Sequence, residues 1–186
     1  MTDPSALLKA ARRLDKGALT DIFDLYASEI YNYILRLCQD PIQADQVVGD
    51  VYSRFLEQLS LGKGPHTNLR AYLYQTAYHL FIDQARETQR FAPIEIIEFF
   101  APDNYTVQDA VENRALLDAV MLAINTELTE EQRHVIVLRF LEGLSLKETA
   151  EIVGKNESSV KVLQSRGIAK LRKVLSNLRS GNQGYE

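Results

Sequence analysis

The chain has no tryptophan and only one cysteine, Cys38, in 186 residues. A lone cysteine excludes an internal disulfide and suits a reducing cytoplasm. Apolar runs never approach the length of a membrane span, so no membrane insertion is expected. The opening MTDPSALLKAARRL has no secretory hydrophobic core followed by a cleavage site. His66, His79 and His134 show no ligand spacing with one another or with Cys38, so no metal site is expected. A P-loop, a GxGxxG fingerprint and a nucleophile elbow are all missing. The carboxylates read as solvated helix faces with no divergent pair. Neither an enzyme nor a cofactor is expected.

Strand patterns are nearly absent as well. Proline and glycine, five and nine in number, punctuate a series of helical segments. Leu7 to Leu14 is a short amphipathic start. Thr20 suits the cap of a longer helix with Ile22, Phe23, Tyr26, Ile30, Tyr33, Ile34 and Leu37 on one apolar stripe. Asp40-Pro41 ends it and opens another, about Ile42 to Leu59. That helix buries Val47, Val48, Val51, Phe55 and Leu59, and turns Asp45, Gln46, Asp50 and Glu57 outward. Gly62, Gly64 and Pro65 mark a loop. Asn68 or Thr67 caps the next helix, which runs from Leu69 to about Arg90.

Regularity fails from Phe91 to Val107, where Pro93, Pro102 and Asp103-Asn104 interrupt the chain. Ile94, Ile96, Ile97, Phe99 and Phe100 make this connector too apolar for a free linker, and it is expected to dock. Helix resumes from Gln108 to Leu128, and Thr129 with Gln132 forms a capping box for the helix that follows.

From Leu144 the pattern becomes specific. Ser145 and Glu148 form a second capping box, and Gly154 suits the left-handed residue that ends a helix. Asn156 caps a further helix from Glu157. Two helices joined by a short turn with glycine at the bend are a helix-turn-helix. Between Lys155 and Arg179 seven basic residues oppose Glu157 alone, a net of +6, while the whole chain stands at −4. The remainder therefore carries −10, and such polarity implies different partners for the two parts. Phosphate is the natural counter-charge for the basic part. Ser158, Ser159, Lys161, Val162, Ser165 and Arg166 are short or cationic, as close approach to bases and phosphates requires.

The helix after Leu69 interleaves Tyr72, Tyr74, Tyr78 and Phe81 with Arg70, His79, Arg86 and Arg90. Flipped bases stack on aromatic faces beside cations. A tyrosine-rich helix packed in a bundle gives the same pattern, and for any single tyrosine taken alone core packing is the expected reading.

Two small all-α domains joined by a linker, the second ending in a helix-turn-helix, resemble the sigma-70 family, in particular its extracytoplasmic-function group. The resemblance rests on ADQVVGDVYSRFL (Ala44 to Leu56), LRAYLYQTAYHLFIDQAR (Leu69 to Arg86) and LTEEQRHVIVLRFLEGLSLKETAEIVGKNESSVK (Leu128 to Lys161). It implies a region 2-like domain at 1–91, a linker at 92–114 and a region 4-like domain at 115–186. It further implies a subunit that directs bacterial core RNA polymerase to promoters. In the family, the first domain docks on the β′ clamp helices, a role that falls here to Asp45, Gln46 and Asp50 with Arg54 nearby.

Minus-10 recognition and melting would fall to Arg70, Tyr72, Tyr74, His79 and Arg86. Tyr72 replaces the usual tryptophan and His79 a frequent asparagine. Minus-35 recognition would fall to Arg139, Ser158, Ser159, Lys161, Val162, Ser165 and Arg166, with the β flap as a second partner of this domain. Leu163 stands where the family has arginine, and Gly167 where it has alanine. A cytoplasmic protein held by an anti-sigma factor is the implied setting. The rival readings are a helix-turn-helix regulator with an N-terminal sensing or dimerising domain, and a helical adaptor that uses its basic helix for protein contacts.

Overall fold

In a computed structural model, the backbone is described over residues 3–88 and 107–181 and the side chains over 3–84 and 117–176. The apolar connector Ile94 to Phe100 and the side chains of Arg86 and Arg179 lie outside those residues. Among the described residues all regular structure is helical, and the helices group into two units.

The first unit holds α1 (Pro4–Ala11), α2 (Lys16–Cys38), α3 (Pro41–Ser60) and α4 (Leu69–Thr88). α2 packs on α1, α3 and α4, and α3 also packs on α4. Ile22, Tyr26, Ile30, Tyr33, Ile34 and Leu37 of α2 are buried at helical spacing. They meet Ala44, Val47, Val51, Phe55 and Leu59 of α3 and Leu73, Tyr74, Ala77 and Phe81 of α4 in one apolar interior. Asp40 caps α3 by accepting from the backbone N–H groups of Ile42 and Gln43, with Pro41 at the first position.

Three local expectations shift. α1 begins at Pro4, capped by Asp3, and ends at Ala11, because the chain bends through Leu14 at φ 59°. α2 begins at Lys16, not beyond Thr20. Asp15 Oδ1 accepts from Ala18 N at 2.8 Å, and the Thr20 hydroxyl merely donates back to the Lys16 carbonyl. An aspartate is as good a cap as threonine, and it stands a turn earlier. Phe23 leaves the apolar stripe: it is 47% exposed and lies against the Tyr52 ring, 4.8 Å between centroids.

The second unit holds α5 (Val107–Glu127), α6 (Glu130–Ile136), α7 (Leu146–Val153) and α8 (Glu157–Gly181). Thr129 and Gln132 form the expected capping box at the start of α6. Past Ile136 the helix widens into a π turn, Val137–Leu141, with Glu142 N donating to Val137 O. Ile124, Leu128, Val135, Ile136, Val137, Leu138, Leu144, Ile152 and Val160 are buried.

Candidate nucleic-acid and polymerase interfaces

Local chemistry fixes the bend between α7 and α8. Ser145 Oγ accepts from Glu148 N, and Glu148 Oε2 accepts from Ser145 N at 2.8 Å. Gly154 ends α7 at φ 64°, a left-handed conformation with no Cβ penalty for glycine. Asn156 Oδ1 then accepts from Ser159 N at 2.8 Å and starts α8. Val160 is fully buried with Val135 and Ala150, and Leu146, Val153 and Leu163 pack around them. Leu163, where an arginine was expected by resemblance, therefore does packing work.

Gly167 is the second anchor of α8. A Cβ there would stand 3.1 Å from Ile136 Cγ1 and 3.3 Å from Cδ1, so glycine lets α8 lie close to α6. With that side held, Ser158, Lys161, Val162, Ser165 and Arg166 all emerge on the exposed side, and Ser159 is half-buried at its edge. Not every cation joins them. Lys155 pairs with Glu131 at 2.7 Å, and Lys170 donates to the Glu127 carbonyl. Arg139 is partly buried: Nε donates to Gln164 Oε1 at 3.2 Å, and Nη1 donates to the Leu144 carbonyl.

The minus-10 candidates divide. Tyr72 is half-buried with its ring 5.9 Å from Phe55, and His79 is exposed beside Tyr78. Seven residues apart, they share one side of α4. Tyr74 is a correction. Its ring is fully buried 4.9 Å from Tyr33, and its hydroxyl lies 3.5 Å from Glu29 Oε2. It is a core residue, unavailable to a stacking base. Arg70 is engaged with the same group, donating from Nε to Glu29 Oε2 at 3.0 Å while its guanidinium sits 5.5 Å over the Tyr74 ring. Burial and the Glu29 charge raise the pKa of neighbouring Tyr26, an effect that Arg70 opposes.

Asp45, Gln46, Asp50 and Arg54 are all exposed on α3. Gln46, Asp50 and Arg54 recur every fourth residue and so share one side. Asp50 also accepts from Gln84 Nε2 of α4 at 3.0 Å. One positioning group escaped the sequence reading: Arg12 Nη1 donates to the carbonyls of Gly64 (3.3 Å) and Pro65 (3.1 Å), bracing the loop before α4. Gln164 escaped as well. Their partners lie 52 and 25 residues away, where periodicity carries no signal.

Among the described residues no group of three His, Cys, Asp or Glu is placed to hold a metal ion. No described helix is long and apolar enough to cross a membrane.

A helical unit ending in a helix-turn-helix, with a cationic outer side, is of the class found in DNA-reading transcription proteins. The models for Sigma-70 region 2 and Sigma-70 region 4 match residues 22–91 and 126–173. The ECF RNA polymerase sigma factor SigX of Bacillus subtilis is 30% identical over 166 residues, 85% of this chain and 84% of its own length. The ECF RNA polymerase sigma factor BldN of Streptomyces coelicolor is 27% identical over 184 residues, 94% of this chain and 67% of its own. Two solved structures share the fold. CnrH in complex with the cytosolic domain of CnrY has a TM-score of 0.68 at 20% identity, covering 93% of this chain and 97% of that one. The sigma factor RpoE in complex with the anti-sigma factor NepR from Bartonella quintana has 0.65 at 21%, covering 84% and 96%.

The chain belongs to the sigma-70 family, as an RNA polymerase sigma factor of the extracytoplasmic-function group. A sensing or dimerising role for the N-terminal half is not favoured, because that half matches region 2.

Proposed function

We propose that the two units divide promoter recognition as the family's regions do, over 1–91 and 115–186 with a connector at 92–114. α8 enters the major groove of the minus-35 element with Ser158, Lys161, Val162, Ser165 and Arg166 forward. Lys161 and Arg166 donate to guanine edges or phosphates, and Ser158 near the helix start suits a phosphate. α4 meets the opened minus-10 strand through Tyr72 and His79, with Arg86 as a further cation. Arg70 and Tyr74 shape that helix from behind through Glu29. Asp45, Gln46, Asp50 and Arg54 meet the β′ clamp helices of core polymerase, and the second unit also touches the β flap. The protein works in the cytoplasm as an initiation factor, without cofactor or catalytic site of its own. An anti-sigma factor holds it inactive, by analogy with the partner named in the RpoE–NepR complex.

The observation that carries this reading is the exposed row on α8, set out by the buried Val160 and the close contact at Gly167. Arg166→Ala in the reconstituted holoenzyme is expected to weaken discrimination at one minus-35 base pair by about 1–3 kcal/mol. Promoter binding by the variant equal to wild type on every sequence overturns it.

A further inference from the structure

Arg139 and Gln164 are joined across the second unit, from the π turn to α8. The guanidinium has no acceptor atom, so the atom that faces it must be the Gln164 carbonyl oxygen. That fixes the amide. Oε1 is occupied, and the NH2 group is left to point elsewhere as a donor. Arg139 is itself anchored on the Leu144 carbonyl, so the amide is held by the loop that precedes α7.

Gln164 lines a shallow groove along α8 with Lys161, Ser165, Ile168, Ala169 and Arg172. Lys161, Ser165 and Arg172 are exposed there. The groove thus offers two cations, a hydroxyl and an amide locked as a donor, and no lining residue carries a carboxylate. Such a set has no acceptor-rich alternative to an anion and suits phosphodiester oxygens spaced along a strand. A base edge is less well matched. Oε1 keeps a second lone pair, but with the oxygen turned toward Arg139 the amide is poorly placed to make the paired donor and acceptor bonds by which glutamine reads adenine.

We propose that Gln164 is a phosphate-contacting residue of this sigma factor, and that Arg139 is the positioning residue that locks its amide donor toward the DNA backbone. The proposal rests on the reading of α8 as the helix in the groove. It reassigns Arg139 from a direct DNA contact to a group acting through its neighbour.

The test uses the full chain bound to bacterial core polymerase, on duplex promoters randomised in the upstream element. Gln164→Glu keeps an acceptor for Arg139, so the fold is held, but turns a carboxylate into the groove. It is expected to lower affinity on the order of tenfold, evenly over all upstream sequences, with a shallower salt dependence. Unchanged affinity, or a loss confined to one base pair, overturns the phosphate contact. Arg139→Lys keeps the charge but loses the fork that spans both partners. It should weaken binding on the Gln164 background and add little on a Gln164→Ala background. Equal losses on both backgrounds overturn the positioning role. Arg166→Ala, run beside them, separates the two failures. If it is silent too, the groove reading of α8 falls and takes this proposal with it. If it alone acts, only the role of Gln164 falls.

Discussion

Cys38 is the one thiol, and its surroundings decide its chemistry. Sγ donates to the Asp40 carbonyl at 3.3 Å and accepts from Asp40 N at 3.4 Å. Burial pushes the thiol up from its ordinary 9.0 to about 11, against the opposing effect of the backbone hydrogen bonds. At neutral pH the thiolate fraction is therefore about 100-fold below that of a free thiol. Alkylation of the native protein by iodoacetamide at pH 8 is expected to be slower than that of the unfolded chain by a similar factor. The stability linked to this group is complete below about pH 9 and is lost as pH rises through about 11. Equal alkylation rates in the two states would refute the burial argument.

Gly167 makes a second residue-scale case. On propensity alone, alanine would stabilise α8 by about 1 kcal/mol. Ile136, however, is 3% exposed, and a new Cβ would require it to shift by a few tenths of an ångström within a packed interior. Overpacking of this kind costs about 1–3 kcal/mol. Gly167→Ala should thus lower the urea midpoint, and a raised midpoint would show the contact to be yielding.

At the scale of the element, helix ends govern. The boxes at Thr129–Gln132 and Ser145–Glu148 each satisfy two backbone donors. Ser145→Ala should cost about 1 kcal/mol, measured by chemical unfolding, and should loosen α7 first. These starts were legible because a capping box is written within four residues. So was Gly154, whose left-handed turn needs no distant partner. What failed to show was whatever depends on which side of a helix meets another helix. Tyr72 and Tyr74 look alike in the sequence, yet only Tyr74 faces Tyr33 and Glu29. Thr20 opens the apolar stripe and so reads as the cap, whereas Asp15, a turn earlier, makes the bond; cap chemistry alone does not rank the two. The π turn after Ile136 carried no periodic mark, since it adds a single residue to an otherwise helical pattern.

For the whole molecule, the charge is uneven: +6 between Lys155 and Arg179 against −10 elsewhere. On the proposed reading, the acidic share would resist stray contact with nucleic acid, and the basic share would need a second attachment to bind tightly. Linking two weak contacts through one polymerase makes the second intramolecular. Asp45→Lys should weaken association with core polymerase while leaving the helical circular dichroism intact, because Asp45 is exposed on α3. Undiminished co-purification would remove Asp45 from the contact. Asp50 is a less clean probe, since its bond to Gln84 also ties α3 to α4.

The wide turn at Val137–Leu141 has an outcome for how the second unit tolerates sequence change. It closes α6 with a turn about one residue wider than an α-helical one. Shortening the chain by one there would tighten the coil and swing Arg139 about 100° around the axis, out of reach of both Gln164 and Leu144. Deletions ahead of Arg139 should therefore uncouple the rim of α8 from the loop behind it and, because Val137 and Leu138 are fully buried in the same turn, disturb the interior as well, so that promoter assays and melting curves should both register the damage.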